Sequence, residues 1–254
     1  MVRPTRTATW NLLRDGAPVA SAYAVCRPDR RWFVSVDGWE DADHEPLVNA
    51  MIDDLAHDLY TRIDGSDPAA LELWSRSGFE PHRRELEFVF SPDPVRTGLG
   101  GVPLPAGLVL LSAEDVDEGD LRTLDDELRL DVPGSEGWVN DPAEFHDHTF
   151  DERSYDPETY LVAVDDQRRQ FAGLVRIWAN QERSRLGLVA VARSYRRQGL
   201  ARAMLAAALR PVHERGIEHV MAEADASNVA SLTLLRQIGA VQTGSSLVLK
   251  RARD

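Results

Sequence analysis

Hydrophobic positions in the second half of the chain follow two periods, and each change of period marks a predicted element. The stretches "ETYLVAVD" and "FAGLVRIWA" read as strands, and the polar turn "DQRRQ" between them predicts a β-hairpin. "RLGLVAVA" predicts a third strand. From Gly199 the apolar positions recur at helical spacing, which predicts a helix that ends near Gly216. Its apolar face consists of Leu200, Met204, Leu205, Ala208 and Leu209.

Further elements flank these. Before the hairpin, "SAEDVDEGDLRTLDDELRL" offers Ser112 as a helix cap and leucines at helical spacing. After it, "HVMAEA" reads as a strand, "NVASLTLLRQIG" as a helix closed by Gly239, and "SSLVLKRA" as a last strand. This order predicts a mixed α/β (α+β) domain.

Proline and glycine are concentrated in "SPDPVRTGLGGVPLPAG", between Ser91 and Gly107, where no periodicity is present. This composition predicts a boundary between two domains. We place the first domain at residues 1–95, a linker at 96–106 and the second domain at 107–254.

Composition excludes some classes of function. The formal net charge of -13 argues against nucleic acid as a partner and fits either simple solubility or a cationic substrate. No long apolar run and no signal-like N-terminus occur, so we expect a cytoplasmic protein without a membrane partner. The lone Cys26 agrees with a reducing compartment and is either a small buried hydrophobe or a reactive thiol.

The junction "YRRQGLARAM" carries the candidate chemistry. A glycine stands where a strand gives way to a helix, so first-turn N–H groups lack partners and attract an anion. Arg196, Arg197 and Arg202 add positive charge, and Gly199 lets a phosphate approach the backbone. Alternatively, the arginines form a solvated turn and the glycine is only a helix breaker.

Two motifs in order resemble the GNAT acetyltransferase superfamily. "VAVARSYRRQGLARAML" is similar to its coenzyme A loop, R/Q-x-x-G-x-G/A, through Arg196, Gly199 and Ala201. "NVASLTLLRQIGA" is similar to its second motif. The matching residues there are Asn228, Ser231, Leu234 and Gly239.

The resemblance implies a splayed sheet that binds acetyl-CoA as co-substrate. Val189, Ala190 and Val191 would face the pantetheine arm, with Asn228 and Ser231 on the same side. The pyrophosphate would lie on the loop formed by Arg196, Arg197, Gln198, Gly199, Leu200, Ala201 and Arg202. The implied reaction is acetyl transfer to a primary amine, a small molecule or a peptide, by direct attack within a ternary complex.

The pattern departs from the family at the catalytic groups. Leu235 replaces the tyrosine that protonates the leaving thiolate, and Ala240 replaces an aromatic residue. Glu223 matches the position of a general base in some members, although it equally reads as a solvent-facing carboxylate. The alternatives to an enzyme are an acyl-CoA-binding sensor or scaffold without turnover, and an interaction module.

A second polar cluster, "FHDHTFDE", invites a metal interpretation through His146, Asp147 and His148. Histidines two apart on a helix point in different directions and no third ligand follows, so no metal site is predicted. The resemblance places this segment near the acceptor pocket, where His148 or Asp147 contacts substrate or remains a surface residue.

The N-terminal half resembles a truncated second copy of the same architecture. "DPAALELWSRSGFE" is similar to the second motif, but Asp41, Ala42, Asp43 and His44 stand where the phosphate loop belongs. Carboxylates there repel phosphate, so this half is predicted not to bind coenzyme A. Trp39 and Trp74 either line the acceptor pocket or pack in the core.

Overall fold

The structure is a computed structural model that describes residues 7–27, 29–38, 40–135, 137–179 and 184–253. The chain forms two compact units. The first contains the chain up to Glu85 together with everything from Gly244 onward, and the second runs from Leu86 to Thr243.

The first unit is an α/β layer structure. Its elements are β1 (Thr7–Arg14), β2 (Ala17–Cys26), β3 (Trp32–Gly38), α1 (Asp41–Leu55), β4 (Leu59–Asp64), α2 (Pro68–Arg76), the start of β5 (Glu80–Phe90) and most of β11 (Val241–Arg251). The strand order β1-β2-β3-β4-β11 brings the last strand of the chain alongside β4. These two strands are antiparallel, with Ser246 opposite Asp64 and Arg251 opposite Leu59.

Several aromatic and polar residues that stand out in the sequence lie in the core of the first unit. Trp74 is buried and contacts Phe79 edge to face. It therefore packs in the core, which was one of the two alternatives predicted for it. Trp39 lies outside the described residues. His44 is buried against Trp74, and the buried Asp43 pairs with Arg14 at 2.8 Å.

The second unit contains the predicted hairpin and the strands and helices that follow it. Its elements are α3 (Pro94–Thr97), β6 (Leu108–Ser112), α4 (Glu118–Arg129), α5 (Phe145–Thr149), β7 (Tyr160–Asp165), β8 (Gln170–Trp178), β9 (Ser184–Val191), α6 (Leu200–Glu214), β10 (Val220–Asp225) and α7 (Val229–Gln237). The strand order is β5-β10-β9-β8-β7-β6. The predicted mixed α/β class is confirmed, whereas α3, β6 and α5 were not predicted.

Helices cover both faces of this sheet. On one face, Val175 and Ile177 of β8 pack with Met204 of α6 and Leu235 of α7. On the other, Leu174 and Leu188 pack with Tyr160 and with residues of α4 and α5. No helix in the described ranges is long and apolar enough to cross a bilayer.

The unit boundaries differ from the domain limits expected at residues 95 and 107. Thr97 and Leu99, inside the expected linker, are buried, and Leu99 belongs to the core of the second unit. At the other end, Leu247 and Leu249 belong to the core of the first unit. Apolar burial therefore draws the linker into the second unit and the last strand into the first.

The start of α4 also differs from expectation. Asp117, not Ser112, caps this helix, and its carboxylate accepts the N–H groups of Gly119 and Asp120. Ser112 ends β6, and its hydroxyl lies 3.3 Å from the Tyr155 hydroxyl.

Candidate functional site

Strands β9 and β10 pair only over a short stretch. The parallel register joins Ser184–Leu186 to Val220–Ala222, whereas β9 continues to Val191. Val189, Ala190 and Val191 remain paired with β8 on their other edge. The two strands therefore diverge beyond Leu186, and this part of β9 has no β10 partner in the described chain.

The loop after β9 exposes backbone donors at the start of α6. Gly199 caps the helix at φ 84 with no side-chain hydrogen bond, and Arg197 also has a positive φ of 63. For Leu200, Ala201 and Arg202, no protein acceptor of the N–H group occurs in the described part of the chain. A Cβ built on Gly199 meets nothing within 4 Å. Unpartnered N–H groups at an open helix N-terminus form an anion-binding arrangement.

Arg196, predicted to surround the phosphate, also anchors the loop. Its guanidinium donates to Asp131 at 2.8 Å and to the Val191 carbonyl at 2.9 Å. Arg193 donates to the same carboxylate. The hydrogen bond from Arg193, with that from Arg196, lowers the pKa of Asp131 to about 2, so this carboxylate is ionised at any working pH.

Of the other side chains in this loop, two donate hydrogen bonds to backbone carbonyls and one is exposed. Arg202 donates to the Gly98 carbonyl at 2.9 Å, and the Gln198 amide donates to Ser194 at 3.2 Å. Arg197 is exposed and makes no side-chain hydrogen bond or ion pair to the described residues. Of the three arginines predicted to surround the phosphate, only Arg197 has a guanidinium that no group of the described residues engages.

The second motif is built around a capping interaction. Asn228 is the N-cap of α7, and its Oδ1 accepts the Ser231 N–H at 3.0 Å. Its Nδ2 makes no hydrogen bond within the described chain and remains a possible donor to a ligand. Leu235 is buried in the core. Its hydrocarbon side chain offers no proton donor at the family's tyrosine position.

Glu223 lies on β10 with its carboxylate engaged. It accepts a hydrogen bond from Arg185 of β9 at 2.9 Å. Beside this pair, the ring of Trp178 lies across Gly187, where a Cβ would come within 2.5 Å of the ring. Arg185 and Glu223 are the charged pair at the narrow end of the β9/β10 opening.

The histidine cluster on α5 is dispersed in the structure. His146 lies 2.9 Å from Glu118, and the backbone carbonyl of His148 accepts from Arg176. In the described residues, no group of three or more His, Cys, Asp or Glu side chains is arranged to hold a metal ion.

Three residues that sequence reasoning did not single out shape the site. Asp131 accepts hydrogen bonds from arginines of the loop between β9 and α6, and Arg176 and Trp178 lie beside the Arg185–Glu223 pair. The alternation of β8 places Arg176 and Trp178 on one face, which was readable in the sequence. The pairing of Asp131 with arginines more than 60 residues away had no local signal.

A splayed mixed sheet with an open helix N-terminus at the splay defines a class of cofactor-binding α/β fold, and comparison with known proteins identifies it. Residues 123–240 match the Acetyltransferase (GNAT) family and form a GNAT-family domain. A GCN5-related N-acetyltransferase from Sphaerobacter thermophilus superposes with a TM-score of 0.69 at 20% identity, over 94% of this chain and 78% of that one. A tandem GNAT protein from the clavulanic acid biosynthesis pathway, solved without AcCoA, gives a TM-score of 0.71 at 17% identity, over 99% and 85%. The predicted resemblance, including the tandem arrangement, is confirmed at the level of fold.

Curated relatives are more similar in sequence but longer. A mycothiol acetyltransferase from Clavibacter michiganensis subsp. michiganensis is 29% identical over 173 residues, which are 68% of this chain and 55% of that protein. The corresponding protein of Clavibacter sepedonicus is also 29% identical, with 56% of its length covered. The chain thus spans about half the length of these relatives.

Proposed function

We propose that this protein is an N-acetyltransferase that transfers acetyl from acetyl-CoA to a primary amine by direct attack within a ternary complex. The observation that carries the proposal is the open N-terminus of α6 next to the unpaired edge of β9. The GNAT-family match and the relatives named as acetyltransferases support it.

The residues fit the two chemically different parts of the co-substrate. The N–H groups that follow Gly199, with Arg197, suit the pyrophosphate because they carry partial or full positive charge and have no hydrogen-bond or ion-pair partner among the described residues. The edge of Val189–Val191 has no β10 partner in the described chain, although the Val191 carbonyl accepts from Arg196, and its remaining backbone groups suit the amides of the pantetheine arm. The Asn228 amide lies in the motif on the same side. Acetyl-CoA supplies the acetyl group as a thioester.

Glu223 is the proposed general base. An alkylammonium with a pKa of about 10.4 has no lone pair, so a carboxylate must accept its proton before attack. Arg185 pairs with Glu223 at 2.9 Å and holds its carboxylate beside the opening. With Leu235 buried and unable to donate a proton, water is the group proposed to protonate the departing thiolate.

A second candidate is an acyl-CoA-binding sensor or scaffold without turnover. The observation that favours it is the same Leu235, together with the engagement of Glu223 by Arg185, which lowers its availability as a base. In this second candidate function, the protein binds acyl-CoA at the same proposed site but does not catalyse acetyl transfer.

The charge and the cysteine content of the chain support proposals about its other partners and its location, and the first unit supports a proposal about coenzyme A binding. The net charge of -13 supports an enzyme without a nucleic acid or membrane-surface partner, and the single cysteine supports the cytoplasm. In the first unit Asp43 and His44 stand at the start of α1, and both are buried. We propose that this unit binds no coenzyme A.

Calorimetric titration of acetyl-CoA into the protein and two matched variants tests the cofactor site. Gly199→Asp adds a negative charge at the proposed phosphate position, and we expect it to weaken binding by ~2 kcal/mol or more. Gly216→Asp is the control, because Gly216 also has a positive φ and open space, at the opposite end of α6. Equal affinities of the two variants, or no binding by the unaltered protein, would refute the site.

A further inference from the structure

Arg176 is a half-buried cation whose charge no carboxylate in the described chain neutralises by an ion pair. Its Nη2 donates to the backbone carbonyls of His148 at 3.1 Å and Thr149 at 3.2 Å, at the end of α5. Nε and Nη1 make no hydrogen bond to described residues. Burial lowers the pKa of this guanidinium, which nevertheless stays charged because arginine does not deprotonate in proteins.

Asp125, the carboxylate that raises the pKa of Arg176 through space, is hydrogen-bonded to other residues. Its carboxylate accepts from Arg129 and from the Asn140 amide. Arg129 adds a like charge to the neighbourhood. Even partial burial of a charge is costly unless the charge is paired, so Arg176 is suited to bind an anionic group of a ligand.

Aromatic rings enclose this guanidinium on the face of the sheet that α4 and α5 cover. The Arg176 Cζ lies 5.1 Å from the Tyr160 ring centre and 4.9 Å from that of Trp178. Trp178 is also within 5.6 Å of the Arg185 guanidinium, the partner of Glu223. Arg176 and Arg185, the partner of the proposed base, therefore both lie against one tryptophan ring.

The register places Arg176 close to the reacting end of the cofactor site. It lies opposite Leu188 of β9, which immediately precedes Val189 of the unpaired segment. An acceptor whose amine reaches Glu223 would have its remaining atoms within the same short stretch of β8 and β9.

We propose that the acceptor amine also carries a carboxylate, which Arg176 binds beside Trp178, so that the substrates are amino acids or similar amino acid-like compounds. This inference rests on the proposed acetyl transfer and names its substrate class. Arg176 supplies the complementary charge, and the Trp178 ring supplies a flat wall for the side chain of the acceptor.

The test compares acceptors that are identical except for the carboxylate. The pairs are L-phenylalanine with 2-phenylethylamine, L-leucine with 3-methylbutylamine and L-lysine with cadaverine, each with acetyl-CoA, and the readout is release of the coenzyme A thiol. We expect kcat/KM to be at least tenfold higher for the amino acid in one or more pairs.

Variants separate charge recognition from a structural role. Arg176→Gln is expected to raise KM for the amino acid at least tenfold with little change in kcat, in KM for the matched amine or in acetyl-CoA affinity. Arg176→Lys keeps the charge and is expected to recover part of the preference. Arg168→Gln is the matched control, because Arg168 lies exposed in the β7–β8 turn of the same unit.

Several outcomes overturn the inference. A preference for the amines, a carboxylate preference that survives Arg176→Gln, or an equal loss with both members of a pair each contradicts it. If the protein binds acetyl-CoA but acetylates no member of any pair, the amino acids are titrated into its complex with coenzyme A, and failure of all three to bind rejects carboxylate recognition. Failure to bind acetyl-CoA at all removes the proposed function first, and the inference falls with it.

Discussion

At the residue scale, the distance between β8 and β9 depends on a residue without a side chain. A Cβ built on Gly173 would lie 2.5 Å from the Ala190 carbonyl oxygen and 3.2 Å from the Met204 side chain. The backbone oxygen cannot rotate away as a side chain can. Gly173 therefore fixes how closely β8 approaches the strand proposed to bind the thioester.

Gly173→Ala tests this constraint. The added methyl group must push β9 outward or strain the ladder, and overpacking of this kind costs about 1–3 kcal/mol of unfolding free energy. Urea denaturation provides the measurement. Gly100→Ala is the control, since its Cβ would make only ordinary contact, with the nearest atom at 3.5 Å. Equal midpoints for the two variants would contradict the close approach.

Single residues also show the reach of sequence reasoning. Gly199 was predicted correctly as a helix start because a glycine ahead of an apolar helical pattern is a local signal. The role of Asp131 was not predictable, since its link to Arg193 and Arg196 depends on tertiary folding. The environment of Arg176 was equally hidden, because nothing local marks a half-buried arginine that pairs with no carboxylate of the described residues.

At the scale of elements, α7 unites a structural and a proposed binding role in one residue. The Oδ1 atom of Asn228 caps the helix through the Ser231 N–H, while Nδ2 is left without a partner in the described chain. Capping needs only an acceptor oxygen, whereas contact with an amide-rich arm also needs a donor.

Two substitutions at Asn228 separate these roles. Asn228→Ala should lose about 0.5–2 kcal/mol of stability through the missing cap. Asn228→Ser keeps a capping oxygen and should retain most of the stability, yet bind acetyl-CoA more weakly because the amide donor is gone. Thermal unfolding and calorimetry on the same preparations give both quantities. Full affinity in Asn228→Ser would show that Asn228 is only a cap.

Elements with strong periodicity were predictable, and short irregular ones were not. The β7–β8 hairpin and α6 follow from alternation and from helical spacing. α3 and α5 have four and five residues, too few to establish a period. The cap of α4 was misplaced because Ser112 and Asp117 are both good capping residues, and only the end of β6 decides between them.

At the scale of the whole molecule, the last strand follows the second unit in the chain but belongs to the first unit in space. Sequence reasoning assigned "SSLVLKRA" to the second domain because it directly follows α7. The structure places Gly244 onward in the first unit, where β11 continues the sheet beyond β4. A short apolar run such as Leu247–Leu249 predicts a buried strand without showing which sheet it joins, so this assignment could not be made from the sequence.

Leu249→Ala tests where the last strand belongs. Leu249 is fully buried, lies opposite Thr61 of β4 and packs in the core of the first unit. Removing its side chain leaves a cavity, and a loss of about 2–5 kcal/mol is expected. Hydrogen exchange followed by mass spectrometry should show faster exchange in Leu59–Asp64 and unchanged protection in Val220–Asp225, because the lost contacts belong to the first unit.

The control for this experiment is the same substitution at an exposed position. Leu130 is 79% exposed, so Leu130→Ala removes the same atoms without opening a cavity and should leave exchange unchanged throughout. Loss of protection in Val220–Asp225 with Leu59–Asp64 unaffected would return the last strand to the second unit. The predicted pattern instead means that the stability of the first unit depends on residues that follow the second unit in the chain.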